Sequence, residues 1–431
     1  MFVVRQGGCR RGLIVVLIVL VVLTLTGGLT AAQEEKIKLH YLTWAGGASA
    51  DYIREDFIEP FQKLHPNIEI TYEAVSFAAF PDKYLTYYIS GNAPDLIHLS
   101  VGWVYDWAQK GMLTNLQPLY DRDLNPDHFF GEPMNAMRYP SMSNGDLYGI
   151  PFAFVLTSLF YNKTMFDNRG LQYPSFNWSW FDARETAKKL VRDIDGDGKT
   201  DAWGLYSAHT YTTLDPIIHA FGGRILDDDF NVVLDEPKAV EGARFMVDLI
   251  HKDGVAPNPA VVGTSGVNLF AQGNMGMIIE NISQISLFRQ SQFDWDVAVM
   301  PTGPEKRVVR LWPDSFAISS QSKNVEAAWE YIKFVITQRK MDRYSGARKV
   351  PIYRPLAMSP DWLERDLLPN KMIFIESIAY GDPLEFRPRW GEWNNEKGNA
   401  LNPAWRGQMA IETAMKNAAD AIRRILNSPE N

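Results

Sequence analysis

The chain is nearly free of cysteine. Its single cysteine among 431 residues is Cys9, which lies inside an N-terminal segment with the pattern of an export signal. Once that segment is removed, disulfides, thiolate metal sites and cysteine nucleophiles are excluded together. Stability must then come from buried apolar surface, and a chain of this length with 46% hydrophobic residues is large enough for two sizeable cores.

The sequence also lacks the common catalytic motifs. It contains no Gly-x-Ser-x-Gly elbow, no His-Glu-x-x-His and no phosphate-binding loop. Its seven histidines include no pair at ligand spacing on a predicted helix, which argues against a zinc enzyme. A carboxylate pair like that of glycosidases leaves no local pattern, so an enzyme that acts on glycosides stays open.

Positive charge is in short supply. The 43 lysines and arginines are outnumbered by 51 acidic residues, and three of the arginines lie within the first 32 residues. The mature chain is therefore acidic, which makes it a poor binder of nucleic acid or anionic lipid. We expect a neutral or small ligand and no nucleic-acid partner.

Residues 1–32 have the parts of a secretory signal peptide. A basic start is followed by an apolar run at residues 13–25 and by the small residues Ala31 and Ala32. The apolar run is shorter than the roughly 20 residues of a membrane-spanning helix. We therefore expect cleavage rather than an uncleaved anchor, and an extracytoplasmic protein in a periplasm or at the outer face of the cell membrane.

One segment predicts a strand that leads into an aromatic helix. Residues 96–99 form a short apolar run typical of a buried parallel strand, and Ser100 and Gly102 follow it as a small-residue turn. The helix that begins with Trp103 ends at Gly111, a usual C-terminal cap. Ligands bind beyond the carboxyl ends of strands in open α/β sheets, so this turn is a candidate site.

The same alternation of strands and helices continues along the chain, which predicts an α/β fold with parallel, helix-covered sheets. Predicted strands cover residues 36–44, 68–75, 148–161, 275–280, 295–300 and 316–319. Predicted helices cover residues 51–64, 81–90, 180–192, 240–253, 324–336 and 410–426.

Several short segments then match one family in order. They are residues 91–97 (GNAPDLI), 107–113 (WAQKGML), 148–152 (YGIPF), 160–163 (FYNK), 270–277 (FAQGNMGM), 322–329 (SKNVEAAW) and 350–351 (VP). On these segments the chain resembles the family 1 extracellular solute-binding proteins of bacterial and archaeal ABC importers, the group that includes maltose-binding protein.

The resemblance implies a type II periplasmic-binding-protein-like fold with two lobes, each a mostly parallel sheet covered by helices, joined by hinge crossings. The implied N-terminal lobe comprises residues 36–138 and 316–355, and the C-terminal lobe comprises residues 139–315 and 356–431. Such a protein closes on a sugar and delivers it to the transmembrane subunits of an ABC permease. We expect a monomer with no chemistry of its own.

The resemblance also suggests site residues in the first lobe. In the family the first strand often ends in a tryptophan that faces the cleft, and Trp44 occupies that position, with Gly46 nearby. The turn after the third strand commonly contacts ligand, which points to Ser100, Gly102 and Trp103. Any single tryptophan is nonetheless more often core material than a ligand contact.

Other candidates come from the second half of the chain. Glu280 and Asn281 stand where the family often has a Gly-x-Trp contact, and a Glu at the end of an apolar strand more commonly faces a cleft than a core. Trp312 and Asp314 precede a predicted strand, although Pro-Asp also suits a plain turn. The remaining candidates are Tyr211, in a loop for which a solvated loop with helix-capping threonines is slightly favoured, and the aromatic pair Trp390 and Trp393.

An acidic loop resembles part of a calcium site. Asp193, Asp195, Asp197 and Asp201 occupy positions 1, 3, 5 and 9 of an EF-hand loop. Gly204 stands at position 12, where an EF-hand has a bidentate glutamate. A plain Asp/Gly turn is therefore favoured over a structural calcium ion, and no other cofactor is expected.

The sequence thus predicts a carbohydrate receptor of an ABC importer. The alternatives are a receptor for a polyol, a glycerol-phosphate compound or a polyamine, and a secreted enzyme that acts on glycosides.

Overall fold

The computed structural model describes residue 2 and residues 36–207, 211–260, 265–338, 349–364, 370–382 and 388–429. Apart from residue 2, the predicted signal peptide lies outside the described residues. Within them, no helix has both the length and the apolar character needed to cross a membrane.

Twelve strands occur in the described residues, and ten of them belong to one sheet with the main order β2-β1-β3-β10-β6-β8-β7. The strands are β1 Ile37–Thr43, β2 Ile68–Ala74, β3 Leu96–Ser100, β4 Arg138–Tyr139, β5 Asp146–Leu147, β6 Ile150–Asn162, β7 Trp203–Ser207, β8 Met275–Asn281, β9 Trp295–Ala298, β10 Val309–Ile318, β11 Val350–Pro351 and β12 Gly381–Asp382.

Helices cover this sheet. The first, α1, consists of three consecutive segments, Ala48–Tyr52, a π-helical Ile53–Ile58 and Glu59–Leu64. The others are α2 Phe80–Ile89, α3 Val101–Gln109, α4 Gln117–Asp123, α5 Gly131–Asn135, α6 Lys163–Asp167, α7 Trp180–Leu190, α8 Leu214–Ala220, α9 Pro237–His251, α10 Gly266–Ala271, α11 Ile285–Phe288, α12 Val325–Thr337, α13 Arg354–Ala357, α14 Pro360–Leu363, α15 Met372–Ser377, α16 Trp390–Trp405 and α17 Ile411–Asn427.

Two long strands join the two halves of the sheet. The first part of β6 pairs with β10, and its later part, from Thr157 onward, pairs with β8 and β9. Strand β10 pairs with β12 at its start and with β3 from Asp314 onward. Because both strands take part in each half, they are the crossings between lobes. The predicted lobe boundaries stay a prediction, since the strands change partners gradually along β6 and β10.

The predicted α/β fold is confirmed, with one difference in strand direction. The pairs β1–β2, β1–β3 and β7–β8 are parallel, as the strand–helix order predicts. Strand β10 runs antiparallel to β3 and β6, and β6 runs antiparallel to β8. Strand β10 enters the first half of the sheet from the second lobe, and β6 enters the second half from the first lobe. They therefore run antiparallel to β3 and β8, respectively.

The carboxyl-terminal helices complete the second lobe and reach the cleft. Helix α17 packs on α16 and on α9, with Ile411, Met415 and Ile422 buried on its inner face. Trp393 and Trp405 of α16 are each 1% exposed. This burial fixes α16 with its first residue, Trp390, next to the start of α3.

Candidate functional site

Trp44 and Trp103 belong to one aromatic cluster at the carboxyl ends of β1 and β3. The ring of Trp44 stacks on His98 with 3.6 Å between centroids and meets Trp103 edge-on at 5.4 Å. Trp103 in turn stacks on the buried Phe80 at 5.4 Å. Both tryptophans are half-buried. One part of each side chain therefore packs in the core, and another part is exposed.

The turn after β3 is packed rather than open. Ser100 is 1% exposed. A Cβ on Gly102 would lie 2.8 Å from Cε3 of Trp390, so glycine is what lets the two lobes approach here. Ser100 and Gly102 therefore lie in the packed wall of the cleft, and their predicted contact with a ligand stays a prediction. Gly46 is exposed, with no described atom within 4 Å of an added Cβ.

Three predicted residues from distant parts of the chain converge into one cluster, the aromatic triad Tyr211, Trp312 and Trp390. The ring centroids of Tyr211 lie 5.6 Å from Trp312 and 5.1 Å from Trp390, and those of Trp312 and Trp390 lie 5.7 Å apart. Strand β10, the loop before α8 and the start of α16 supply one ring each.

Trp393 lies inside the second lobe, and its predicted contact with a ligand stays a prediction. Its ring lies 6.4 Å from Trp390, but the side chain is buried and its indole N–H donates to the Pro388 carbonyl at 3.1 Å. Trp393 supports Trp390 from within the lobe, because helical spacing of three residues places both rings on one side of α16.

Arg310 holds two rings of the triad. Its guanidinium lies 4.1 Å from the ring centroid of Trp312 and 4.7 Å from that of Tyr211. Burial lowers the pKa of Arg310 below its ordinary value, against the opposing effect of Tyr211 and the carboxylates of Asp215 and Glu280. Arg310 is not among the residues predicted to contact a sugar, although residues 310, 312 and 314 share one face of a strand.

Asp314 is nearly buried, at 8% exposure, and is already paired with a cation. Lys349 donates to its carboxylate, and Nε2 of His98 lies 3.8 Å from Oδ1. Burial lowers the pKa of His98 to about 3, so this imidazole is neutral at physiological pH. Nδ1 of His98 shares a hydrogen bond with the Thr43 hydroxyl at 3.0 Å.

Glu280 and Asn281 end β8, as predicted. Burial raises the pKa of Glu280, against the backbone N–H of Asn281 and the charge of Arg310; that N–H donates to Glu280 at 3.0 Å. The side-chain oxygen of Asn281 accepts from the Ser283 backbone N–H at 3.0 Å. Asn281 therefore caps the following turn, and Glu280 is the polar group of this pair that lies near Arg310.

In the acidic loop, Asp193, Asp195 and Asp197 each offer a carboxylate oxygen within 4.8 Å of the others, and all three are exposed. Asp201 instead accepts the backbone N–H of Ile194 at 2.6 Å. Backbone N–H groups of the loop also donate to Asp193, Asp195 and Asp197. An Asp/Gly turn accounts for these contacts, and a calcium ion stays a prediction.

Comparisons with known proteins agree on one family. A profile described as "Bacterial extracellular solute-binding protein" matches residues 46–341. A putative binding protein of Brucella abortus is 24% identical over 387 residues, 86% of this chain and 89% of its own. The galactooligosaccharide-binding protein of Bacillus subtilis is 23% identical over 350 residues, 78% of this chain and 77% of its own.

Solved structures show the same fold. The ABC substrate-binding protein from Listeria monocytogenes in complex with cycloalternan has a TM-score of 0.77 at 24% identity, over 91% of this chain and 99% of that one. A cyclo/maltodextrin-binding protein complexed with maltotetraose has a TM-score of 0.77 at 17% identity, over 93% and 100%. With two lobes, two crossing strands and a matching profile over most of its length, the chain belongs to the bacterial extracellular solute-binding protein family.

Proposed function

We propose that this protein is the extracytoplasmic receptor of an ABC importer, that it binds a neutral carbohydrate between its lobes, and that it delivers this ligand to a membrane permease. Membership of the family supports the role of a solute receptor. Sugar-binding relatives and structural neighbours that hold oligosaccharides support the ligand class.

The observation that carries the proposal is the aromatic triad. Sugars present flat C–H faces that pack on aromatic rings, while their hydroxyls need a few well-placed polar groups. Tyr211, Trp312 and Trp390 supply the rings within 5.7 Å of one another. Asp314, on the same face of β10 as Trp312, supplies a carboxylate at the crossing between lobes.

Charge pairing favours a neutral ligand over the charged alternatives. A polyamine requires unpaired carboxylates, but Lys349 already pairs with Asp314. A phosphorylated ligand requires an accessible cation, but Arg310 is 4% exposed beneath Tyr211 and Trp312. Neutral hydroxyls make hydrogen bonds with such paired groups without separating the charges.

Binding works through lobe closure. A ligand that contacts groups of both lobes favours the closed arrangement over the open one, and the permease recognises the closed form. The crossing strands β6 and β10 run through both lobes and shift register between Asp314 and Ser315, so the hinge motion is a twist of two adjacent strands.

A thermal-shift screen of the exported protein against monosaccharides, oligosaccharides, polyols and polyamines tests the proposal. A ligand at a hundred times its dissociation constant stabilises the protein by about 2.7 kcal/mol. We expect a rise with one class of neutral sugar and recovery of that sugar intact by chromatography. Trp312→Ala should abolish the rise, whereas Phe181→Ala, at a ring that is 49% exposed on α7, should retain it.

Other outcomes identify other functions. A rise with polyamines alone would replace the sugar assignment by a cation receptor. A sugar recovered in cleaved form would show a glycoside-acting enzyme. No rise with any carbohydrate would refute the proposal.

A further inference from the structure

A cavity of about 270 Å³ lies beside the aromatic triad, between the start of α8 and one face of α16. Tyr211 belongs to both features, because its ring contacts Trp312 and Trp390 and also lines the cavity. The cavity therefore adjoins the surface on which we place a sugar ring.

Helix α16 continues from the triad along the cavity. Asn394 follows Trp390 by four residues, and Leu401 follows Asn394 by seven, so the three share one face of the helix. At a rise of about 1.5 Å per residue, the lining from Asn394 to Asn402 extends for about 12 Å. The cavity thus runs along the helix away from Trp390.

Amide side chains dominate its polar lining, namely Asn394, Asn395, Asn399 and Asn402. Each amide offers both donors and an acceptor, which matches the dual character of sugar hydroxyls. Oδ1 of Asn394 is buried and has no hydrogen-bond partner among the described residues. This oxygen is closed to solvent in the structure, so a ligand hydroxyl reaches it after the Asn394 amide rotates, and the new hydrogen bond then satisfies an acceptor that is costly to leave unpaired.

The charge in the cavity wall is already neutralised. Nζ of Lys397 donates to both carboxylate oxygens of Asp215 at 2.7 Å. The two side chains are 2% and 4% exposed, so this pair is shielded from solvent. With Leu214 and Leu401 as the apolar part of the lining, the cavity suits a neutral ligand rather than an acidic one.

We propose that this cavity is a subsite for an additional ring of a neutral oligosaccharide, whose neighbouring ring packs on the aromatic triad. The inference rests on the proposed function and extends it, because it makes an oligosaccharide rather than a monosaccharide the preferred ligand. Tyr211 is the residue shared by the two subsites.

Gly398 provides a selective way to fill the cavity. It lines the cavity, and a Cβ added there meets no described atom within 4 Å. In Gly398→Leu the Cβ therefore enters open space and the side chain extends into the cavity, while the helix is favoured, since leucine has a higher helix propensity than glycine. Gly391→Leu is the matched control, because Gly391 lies in the same helix, has equally open space and is outside the cavity lining.

Isothermal titration calorimetry with neutral oligosaccharides of one to four rings, in a maltose and a mannose series, tests the subsite. We expect the unaltered protein to gain about tenfold in affinity when the ring that reaches the cavity is added, the size expected of one or two new hydrogen bonds. Gly398→Leu should remove this gain and leave the shorter sugar unchanged, and Gly391→Leu should retain it.

The outcomes separate the two proposals. Sugar binding that does not depend on chain length, or a Gly398→Leu variant that keeps the gain, would overturn the subsite and leave the receptor function intact. Equal weakening for every length would likewise overturn it. If no sugar of any length binds the unaltered protein, the proposed function and the subsite are both refuted.

Discussion

At the scale of single residues, the candidate site is built on cations whose charges are already matched. Arg310 lies near the carboxylates of Asp215 and Glu280, Lys397 pairs with Asp215, and Lys349 pairs with Asp314. These partners are far apart in sequence, by 182 residues for Lys397 and Asp215. No local pattern reveals such pairs, so the sequence predicted the aromatic residues of the candidate site and the carboxylates of Glu280 and Asp314 but missed the lysines Lys349 and Lys397.

The Lys397–Asp215 pair should be essential to the fold of the second lobe. Lys397→Met leaves the buried Asp215 carboxylate without its hydrogen-bonded cation, which costs roughly 3–5 kcal/mol of unfolding free energy. Urea unfolding measures this loss. Arg244→Ala serves as a control, because Arg244 pairs with Glu412 at the surface, with side chains about half exposed, and should cost less than about 1 kcal/mol.

A second outcome distinguishes pairing from packing. If the unpaired carboxylate is the reason that Lys397→Met is less stable, adding Asp215→Leu to the same chain should restore part of the unfolding free energy. An unaltered or larger loss in the double variant would show that the charge pairing is not the cause.

His98 should make the protein less stable in mild acid. Burial lowers its pKa to about 3, whereas an unfolded histidine titrates near 6.5. Below pH 6.5 the unfolded chain binds a proton that the folded chain does not, so stability falls as the pH falls, by roughly 2 kcal/mol between pH 6.5 and 5. Urea unfolding at pH 7.5 and at pH 5 measures the change in unfolding free energy. His98→Gln should lack the part of this decrease that comes from His98. Equal declines in both proteins would contradict the argument.

At the scale of elements, alternation and spacing predicted the outer strands and most long helices. Strands β1, β2 and β3 and helices α2 and α12 lie within a residue or two of their predicted bounds. The start of β10 was missed by seven residues, because Pro313 and Asp314 read as a turn. Pairing with β6 on one side and β3 on the other keeps this segment extended, and such neighbours are invisible in a single sequence.

The contact between α3 and α16 gives a prediction at this scale. Gly102→Ala places a Cβ 2.8 Å from Trp390, so the indole must move and the aromatic triad must open. We expect the affinity for sugar to fall about tenfold, whereas the melting temperature should fall only slightly. Gly131→Ala, where an added Cβ meets no described atom within 4 Å, should alter neither. Unchanged affinity in Gly102→Ala would show that Trp390 does not contact the ligand.

At the scale of the whole molecule, the lobes touch at the rim of the cleft. Tyr105 of α3 meets Phe230, in the loop between α8 and α9, with 5.9 Å between ring centroids. The backbone N–H of Arg389 donates to Asp106 at 2.9 Å. In the proposed mechanism these contacts stabilise the closed arrangement together with the ligand.

Tyr105→Ala should therefore shift the unliganded protein toward an open form. Small-angle X-ray scattering should give a larger radius of gyration for the variant without ligand and the same radius for both proteins at saturating ligand. The affinity for ligand should fall, because a smaller fraction of the variant is in the closed form. Tyr173→Ala is the control, because this ring is 36% exposed and packs against Tyr161 and Phe166 rather than against Tyr105 or Phe230. Equal radii without ligand would refute a role for this contact in closure.

The crossing strands β6 and β10 also affect the order in which the two lobes can fold. During synthesis β1, β2 and β3 leave the ribosome first, but β3 stays without its neighbour β10 until the strands of the other lobe have been made. The first lobe is thus left with an unpaired strand edge while the chain grows, and long-range pairing of this kind is slow. A chain that cannot complete its first lobe until late in synthesis stays unfolded for longer, which agrees with the export predicted from its N-terminal sequence.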